Sequence, residues 1–316
     1  MMEVHLSGAF PRSESLVEVT RSADRGRASK ADVEVSFERD CRAFVQLQTQ
    51  TGLDYVVDGQ LNWQDLFRPF SELFTGIQLG SLTRWFDNNT FYRKPIIVEK
   101  IRNSGKNIDE FFRHSLLPNT QQRKAIVPGP LTFALLSENK TNGNVADLID
   151  DASHALKDVI TGLRSAGYVF IQFNEPAISN ESRVKDALQR AKQAYETCAK
   201  IAGAKTSVHT YFTDSAPTLD AVLDLPVDSV GVDFYATSVE SIAEHTFNRE
   251  LDCGCIDGRN SLLEEPEEVA KFVRRVQDQV EPKCTTVCPN CDMDFLPHSV
   301  AEEKTRLLAE VKKRLS

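Results

Sequence analysis

The residues with chemical potential lie at the ends of short apolar runs, and the sulfur among them lies late in the chain. Cys288-Pro-Asn-Cys291 has the Cys-x-x-Cys spacing used for zinc or thiol exchange, and Cys253 and Cys255 share one face if their backbone is extended. His209-Thr210-Tyr211 and Asp233 add an imidazole, a phenol and a carboxylate that can ligate metal or move protons. Redox chemistry wants a Cys pair opening a helix near the start of a thioredoxin-like unit, which is not its place here. Three readings of the thiols stay open: a structural four-cysteine site, a partly catalytic site through Cys291, and inert buried sulfur. Nearer the start, Asp58-Gly59-Gln60 and Asn174-Glu175-Pro176 offer carboxylates and amides that can orient a polar ligand.

Such residues act together only if the fold gathers them. Short runs rich in Val, Ile and Phe alternate with amphipathic stretches, the pattern of parallel strands joined by crossover helices. The strand runs are Val4 to Phe10, Tyr55 to Gln60, Ala125 to Val127, Tyr168 to Phe173, Thr206 to Tyr211, Ser229 to Asp233, Leu251 to Cys255 and Thr285 to Cys288. Eight such strands close a barrel, and in an α/β barrel the site forms where the strands exit. Helices are expected over Asp147 to Ala166, Ser182 to Ile201, Pro266 to Val280 and Val300 to Leu315; Pro266, Glu267 and Glu268 mark one start clearly. Thr83 to Phe86 and Ile96 to Val98 flank Asp87, Asn88 and Asn89, which reads as a β-hairpin inserted after the second strand and lying over one barrel mouth.

The chain has 316 residues, 41% of them hydrophobic and 26% charged, with a net charge of -9. This composition suits one soluble domain over residues 1–316 and lacks the basic stripe that nucleic-acid binding needs. No apolar run is long enough to cross a membrane and no export signal precedes the first strand, so a cytoplasmic protein is expected. Five of the seven cysteines follow residue 250, and without an export signal they favour metal or burial over disulfides. Arg21 to Asp32 reads as a solvated loop.

The ordered motifs resemble the cobalamin-independent methionine synthase (MetE) family, most closely its short single-barrel archaeal-type relatives. They are Gly8-Ala9-Phe10-Pro11, Asp58-Gly59-Gln60 with Asp65, Gly129-Pro130-Leu131-Thr132, Ile171-Gln172-Phe173-Asn174-Glu175-Pro176-Ala177 and Val208-His209-Thr210-Tyr211. Val232-Asp233, Asp257-Gly258-Arg259-Asn260 and Pro289-Asn290-Cys291 with Phe295-Leu296-Pro297 complete the set, which covers almost the whole chain. The resemblance implies a (β/α)8 TIM barrel of the MetE and uroporphyrinogen-decarboxylase type. It also implies a methyltransferase of methionine biosynthesis, with homocysteine and a methyl donor as substrates. In the family, zinc held by His, Cys, Glu and Cys binds the homocysteine thiol, which attacks a methyl group carried by methyltetrahydrofolate or, in short relatives, by a corrinoid.

Carried across position by position, the family His falls on Tyr211, the first Cys on Thr213, the Glu on Asp233 and the last Cys on Cys291. A zinc set would therefore use Cys291 and Asp233, with His209, which shares the face of Tyr211, or Cys288 or Cys255 as substitute. The pocket serine falls on Ala9, a glutamate on Gln60 and an aspartate on Asn174, so two carboxylates have become amides while Asp58 and Glu175 stand nearby. The implied catalytic group is Tyr211, Asn174 and Glu175; the implied substrate pocket is Ala9, Asp58, Gln60 and Asn174. The family's folate-stacking Trp has no counterpart between Leu131 and Asn144, which favours a corrinoid or protein-borne methyl group.

The alternative is a non-catalytic or donor-binding subunit that partners a zinc-bearing paralogous barrel or a corrinoid protein. A decarboxylase is disfavoured, since Arg12 alone stands near the first strand where a polycarboxylate cradle would need several arginines. His5, His114, His154, His245 and His298 lack ligand spacing and read as surface or core groups, and Trp63 and Trp85 read as core or lid packing.

Overall fold

The computed structural model describes residues 2–86, 90–179, 181–200 and 203–316. Its strands are β1 (Glu3–Val4), β2 (Tyr55–Val56), β3 (Phe74–Arg84), β4 (Phe91–Asn103), β5 (Gln122–Pro128), β6 (Glu138–Asn139), β7 (Tyr168–Asn174), β8 (Lys205–Thr210), β9 (Ser229–Asp233), β10 (Glu250–Ile256) and β11 (Cys284–Pro289). Among the described residues eight of these form one parallel sheet in the order β1-β11-β10-β9-β8-β7-β5-β2, a nearly closed barrel. The two edges meet through Asp54, whose amide donates to the Val4 carbonyl at 3.0 Å and whose carboxylate accepts the Val4 amide at 2.7 Å. Higher up, the Phe10 amide donates to the Gly59 carbonyl at 2.9 Å.

The first two barrel strands are shorter than their apolar runs. Gly8 at φ 150°, Gly59 at φ 77° and Gln60 at φ 51° turn the chain out of the extended region, so the ladder stops and the remaining residues become loops over the mouth. The helices Val145–Ser165, Glu181–Cys198, Pro266–Val280 and His298–Leu315 occupy the expected places, and Ile201 lies outside the described residues. Two helices, Glu14–Asp24 and Lys30–Thr51, take the two ends of the loop expected over Arg21 to Asp32 and leave residues 25–29 as the exposed turn between them. Ser29 and Asp32 form a reciprocal capping box there, satisfying amides that would otherwise be bare at the helix start.

Period-two alternation gives the longer barrel strands an apolar outer face and a largely polar inner one. Ile171, Val208, Val230, Leu251 and Val287 are fully buried against the helix layer. On the inner side, Lys124 Nζ donates to the Leu6 carbonyl at 2.8 Å, lies 2.9 Å from His5 Nδ1, and stands 4.8 Å from the Phe170 ring centre. His5 Nε2 lies 3.7 Å from Asp252, which accepts from Ser229 Oγ at 2.9 Å. One level higher, Gln172 Nε2 donates to the Ser7 carbonyl and to Asn174 Oδ1, at 2.9 and 2.7 Å.

The hairpin extends well beyond the two short segments read from the sequence. β3 and β4 pair antiparallel with two irregularities, β6 adds a parallel strand to β4, and the sheet packs on helix Val145–Ser165. The expected turn at Asp87, Asn88 and Asn89 lies outside the described residues; the Trp85 amide donates to the Thr90 carbonyl at 2.9 Å. Ring centres of Trp85 and Phe212 lie 6.5 Å apart, which puts this end of the hairpin over the barrel mouth.

Candidate active site

Polar strand exits and the hairpin enclose a cavity of about 570 Å³ at the carboxyl ends of the strands. Ala9, Phe10 and Arg12 line it from the exit of β1, Gln60 from β2, Trp85 and Tyr92 from the hairpin, Tyr211 and Phe212 from β8, and Asp292, Asp294 and Phe295 from the segment after β11. Two lining residues hold left-handed backbone without being glycine, Gln60 at φ 51° and Phe212 at φ 75°. Such conformations persist only where surroundings fix them. The Gln60 amide donates to Asp58 Oδ1 at 3.0 Å and the Phe212 amide to Asp233 Oδ2 at 3.0 Å.

A chain of polar groups forms the floor. Gln172 orients Asn174, whose Nδ2 faces Asp292 Oδ2 at 3.4 Å, while Asp292 Oδ1 accepts the Ala9 amide at 3.0 Å. Burial holds the Tyr211 phenol well above its ordinary range, against the smaller opposing effect of the neighbouring Asn174 side chain, so it is neutral at physiological pH. Burial, then the neighbouring Asp294 carboxylate, pushes Asp292 up. Arg12 gives Nε and Nη2 to the Leu61 and Trp63 carbonyls, both at 2.7 Å, and thereby shapes the β2 exit.

Ala9, Gln60 and Tyr211, picked out in the sequence, line the cavity, and Asn174 lies just beneath it. Glu175 does not reach it. Its carboxylate accepts the Leu131 and Thr132 amides at 3.1 and 2.7 Å and the Tyr195 hydroxyl at 2.8 Å, clamping the start of helix Pro130–Leu136. Asp58 is also absent from the lining; burial pushes its carboxyl up to about 7. Asp292, Asp294, Phe212 and Tyr92 escaped the sequence reading. The available signal was the Asp-Met-Asp run directly after Cys291.

The residues present do not fit zinc. Among the described residues no three His, Cys, Asp or Glu side chains gather as a ligand set. His209 Nε2 donates to the Asn290 carbonyl at 2.9 Å, and a Cβ on Gly231 would lie 2.2 Å from Nδ1, so the ring is pinned flat on β9. Asp233 spends both oxygens on structure, Oδ1 accepting the Tyr235 amide at 2.9 Å and Asn290 Nδ2 at 3.0 Å, and Oδ2 accepting Phe212. The Cys291 thiol is buried, faces the Asp292 carbonyl at 3.4 Å, and is pushed well up by burial, away from the thiolate that binds metal. The four-cysteine arrangement fails on register: Gly254 pairs with Cys288, so Cys288 shares a face with Asp252 and Gly254, opposite Cys253 and Cys255.

Residues 76–281 match the family described as cobalamin-independent synthase, N-terminal domain. The chain belongs to that family. As a cobalamin-independent synthase homologue it is similar to a methionine synthase of Saccharolobus solfataricus, 27% identical over 308 residues that cover 96% of this chain and 91% of that protein. A methionine synthase of Sulfurisphaera tokodaii is 27% identical over 300 residues, covering 94% and 87%.

The fold of this synthase homologue recurs in solved structures. A B12-independent methionine synthase from Shewanella sp. W3-18-1, in complex with selenomethionine, superposes with a TM-score of 0.81 at 19% identity, covering 99% of this chain and 97% of that one. A putative vitamin-B12 independent methionine synthase from Listeria monocytogenes gives 0.79 at 14%, covering 99% and 98%. A methyltransferase from Methanosarcina mazei gives 0.60 at 12%, covering 98% and 94%. At these identities the likeness concerns fold. No described helix is long and apolar enough to cross a membrane.

Proposed function

We propose that this chain is a methyltransferase of methionine biosynthesis, acting in the cytoplasm as one barrel domain and moving a methyl group to the thiol of homocysteine. The observation that carries the reading is the cavity at the strand exits, in a chain that aligns over 96% of its length with a protein named methionine synthase. The enclosure suits a small amino acid beside a methyl donor.

In this reading Asn174, fixed by Gln172 and facing Asp292, and Gln60 orient the amino-acid end of the acceptor, while Tyr211 offers a neutral hydroxyl at the floor. The acceptor sulfur forms the new S–CH3 bond, the donor's bond to that methyl breaks, and the thiol proton leaves to solvent. No step is routed through zinc, because His209, Asp233 and Cys291 are committed elsewhere. The test is methionine formation by purified protein given homocysteine with methylcobalamin or with methyltetrahydrofolate; methionine from neither donor overturns the assignment for these donors.

The diverted ligand positions, in a chain that matches an N-terminal-domain family, favour a second reading. In it this barrel is a donor-binding subunit that works beside a zinc-bearing paralogue. Turnover by the isolated chain excludes that arrangement.

A further inference from the structure

The two ends of the acceptor make different demands on the cavity. Gln60 lines it and is 7% exposed, and its Nε2 has no partner among the described residues, so a buried donor is held ready for the acceptor's carboxylate. The thiol end needs a group that takes a proton. A free thiol with a pKa of about 8.5 is mostly protonated at neutral pH, and only the thiolate is a strong nucleophile. His209, Asp233 and Cys291 are turned to backbone groups, which leaves the proton to a base in the lining.

The titratable groups of the lining can be sorted by what already holds them. Asp65 accepts the amides of Phe67, Arg68 and Arg93 at 2.9, 2.9 and 3.0 Å. Asp292 has the Ala9 amide on one oxygen and Asn174 Nδ2 beside the other. His298 places Nδ1 on the Pro11 carbonyl at 2.8 Å and Nε2 3.6 Å from Glu302. Arg12 is turned to two carbonyls, the Tyr92 hydroxyl donates to the Leu136 carbonyl at 3.1 Å, and the Tyr211 phenol is neutral. Asp294 differs from all of them. It lines the cavity with an exposed side, and among the described residues its carboxylate accepts from no group but its own amide. The groups close enough to act on its charge, or to feel it, are Asp292 and Cys291 on the same segment and Tyr211 after β8, with no cation among them. Desolvation by the cavity wall holds the Asp294 carboxyl above the ordinary carboxylate range, nearer the neutral values at which a general base works best.

We propose that Asp294 is the general base of the methyl transfer, accepting the thiol proton of homocysteine as the sulfur attacks. The proposal rests on the methyltransferase reading and deepens it, naming the group through which the proton reaches solvent. The S–H bond breaks with its electron pair left on sulfur, and the proton moves to an Asp294 oxygen. The sulfur bonds the methyl carbon, and the bond from that carbon to the donor breaks with its electron pair going to the donor. Asp294 then gives the proton to water on its exposed side.

The test is the pH profile of methionine formation by the full chain and by Asp294→Asn. Homocysteine is supplied with methylcobalamin, with methyltetrahydrofolate, and with iodomethane, a methyl source that needs no donor site. Wild-type kcat/KM should rise with the Asp294 ionisation and level off near neutral pH. Asp294→Asn should be slower by about a hundredfold at pH 7, the loss of one positioned base. Its rate should climb with the thiolate fraction and come within about threefold of wild type at pH 9, above the ordinary thiol pKa. Asp294→Glu, which keeps a carboxylate, should retain the wild-type profile, and added acetate should return rate to Asp294→Ala. A loss in Asp294→Asn that is the same at every pH, or no loss, overturns the proposal, as does failure of both Asp294→Glu and acetate to restore rate. Methionine from methylcobalamin or methyltetrahydrofolate without a pH-dependent defect keeps the methyltransferase reading and sinks this one. Methylation by iodomethane that depends on Asp294, with no methionine from either donor, does the reverse, and methylation from none of the three overturns both.

Discussion

A Cβ placed on Gly129 would lie 2.0 Å from the carboxyl carbon of Glu175. Glycine is thus required for space, since Gly129 itself has an ordinary extended backbone at φ -70°. Gly129→Ala should cost about 3–5 kcal/mol by pushing a buried carboxylate off its donors. In a Glu175→Ala background the same change should cost under about 1 kcal/mol, because the obstruction is gone. Urea denaturation of the four proteins in the cycle reads the coupling; additive costs would refute it.

Tyr211→Phe removes the hydroxyl that meets Asn174 while keeping the ring against Phe212. A drop of roughly tenfold in kcat/KM is expected for whichever donor supports methyl transfer, corresponding to about 1.4 kcal/mol, with little change in melting temperature. Asn174→Ala should lose more, since it also takes from Gln172 Nε2 one of its two acceptors. Steady-state kinetics decide; unchanged rates in both variants remove these residues from the mechanism.

Because the candidate ligands are tied to backbone groups, purified protein should carry less than about 0.1 zinc per chain, and chelator should leave both melting temperature and turnover as they were. Elemental analysis checks the first point. Stoichiometric zinc that is lost on Cys291→Ser would show that the loop rearranges around metal.

The barrel axis predicts a pH effect. Burial, then the Lys124 charge, pushes His5 down to about 4, so unfolding takes up a proton wherever the pH lies between that value and the ordinary 6.5. Stability contributed by neutral His5 is complete above pH 6.5 and is lost as pH falls toward 4, by at most about 3 kcal/mol. Buried acids such as Asp58 act in the opposite direction, so the informative quantity is the difference between wild type and His5→Gln. That difference should shrink from pH 7 to pH 4.5 in thermal melts; a constant gap would contradict it.

The eight barrel strands were legible because each carries an apolar face at period two, and Pro266–Val280 because proline and acids announce its start. Glu14–Asp24 and Lys30–Thr51 were hidden by charge: Arg21, Arg25 and Arg27 look like a solvated loop, and the Ser29 and Asp32 box is visible only once a helix is suspected. The site was legible in position but not in direction. Glu175 and Asn174 are adjacent, yet one turns toward a helix start and the other toward the cavity floor, which strand ends alone do not reveal. His209 and Tyr211 share a face as period two requires, but the Asn290 carbonyl that occupies the imidazole lies 81 positions away.

Asp54 draws together parts of the chain that are far apart in sequence. Its carboxylate holds the Val4 amide and both its oxygens lie 2.7 Å from Lys312 Nζ, so the first strand and the final helix are moored to one side chain at the barrel seam. Mechanical load applied at residue 4 or at residue 312 would converge on this mooring, and slackening either rope would loosen the other.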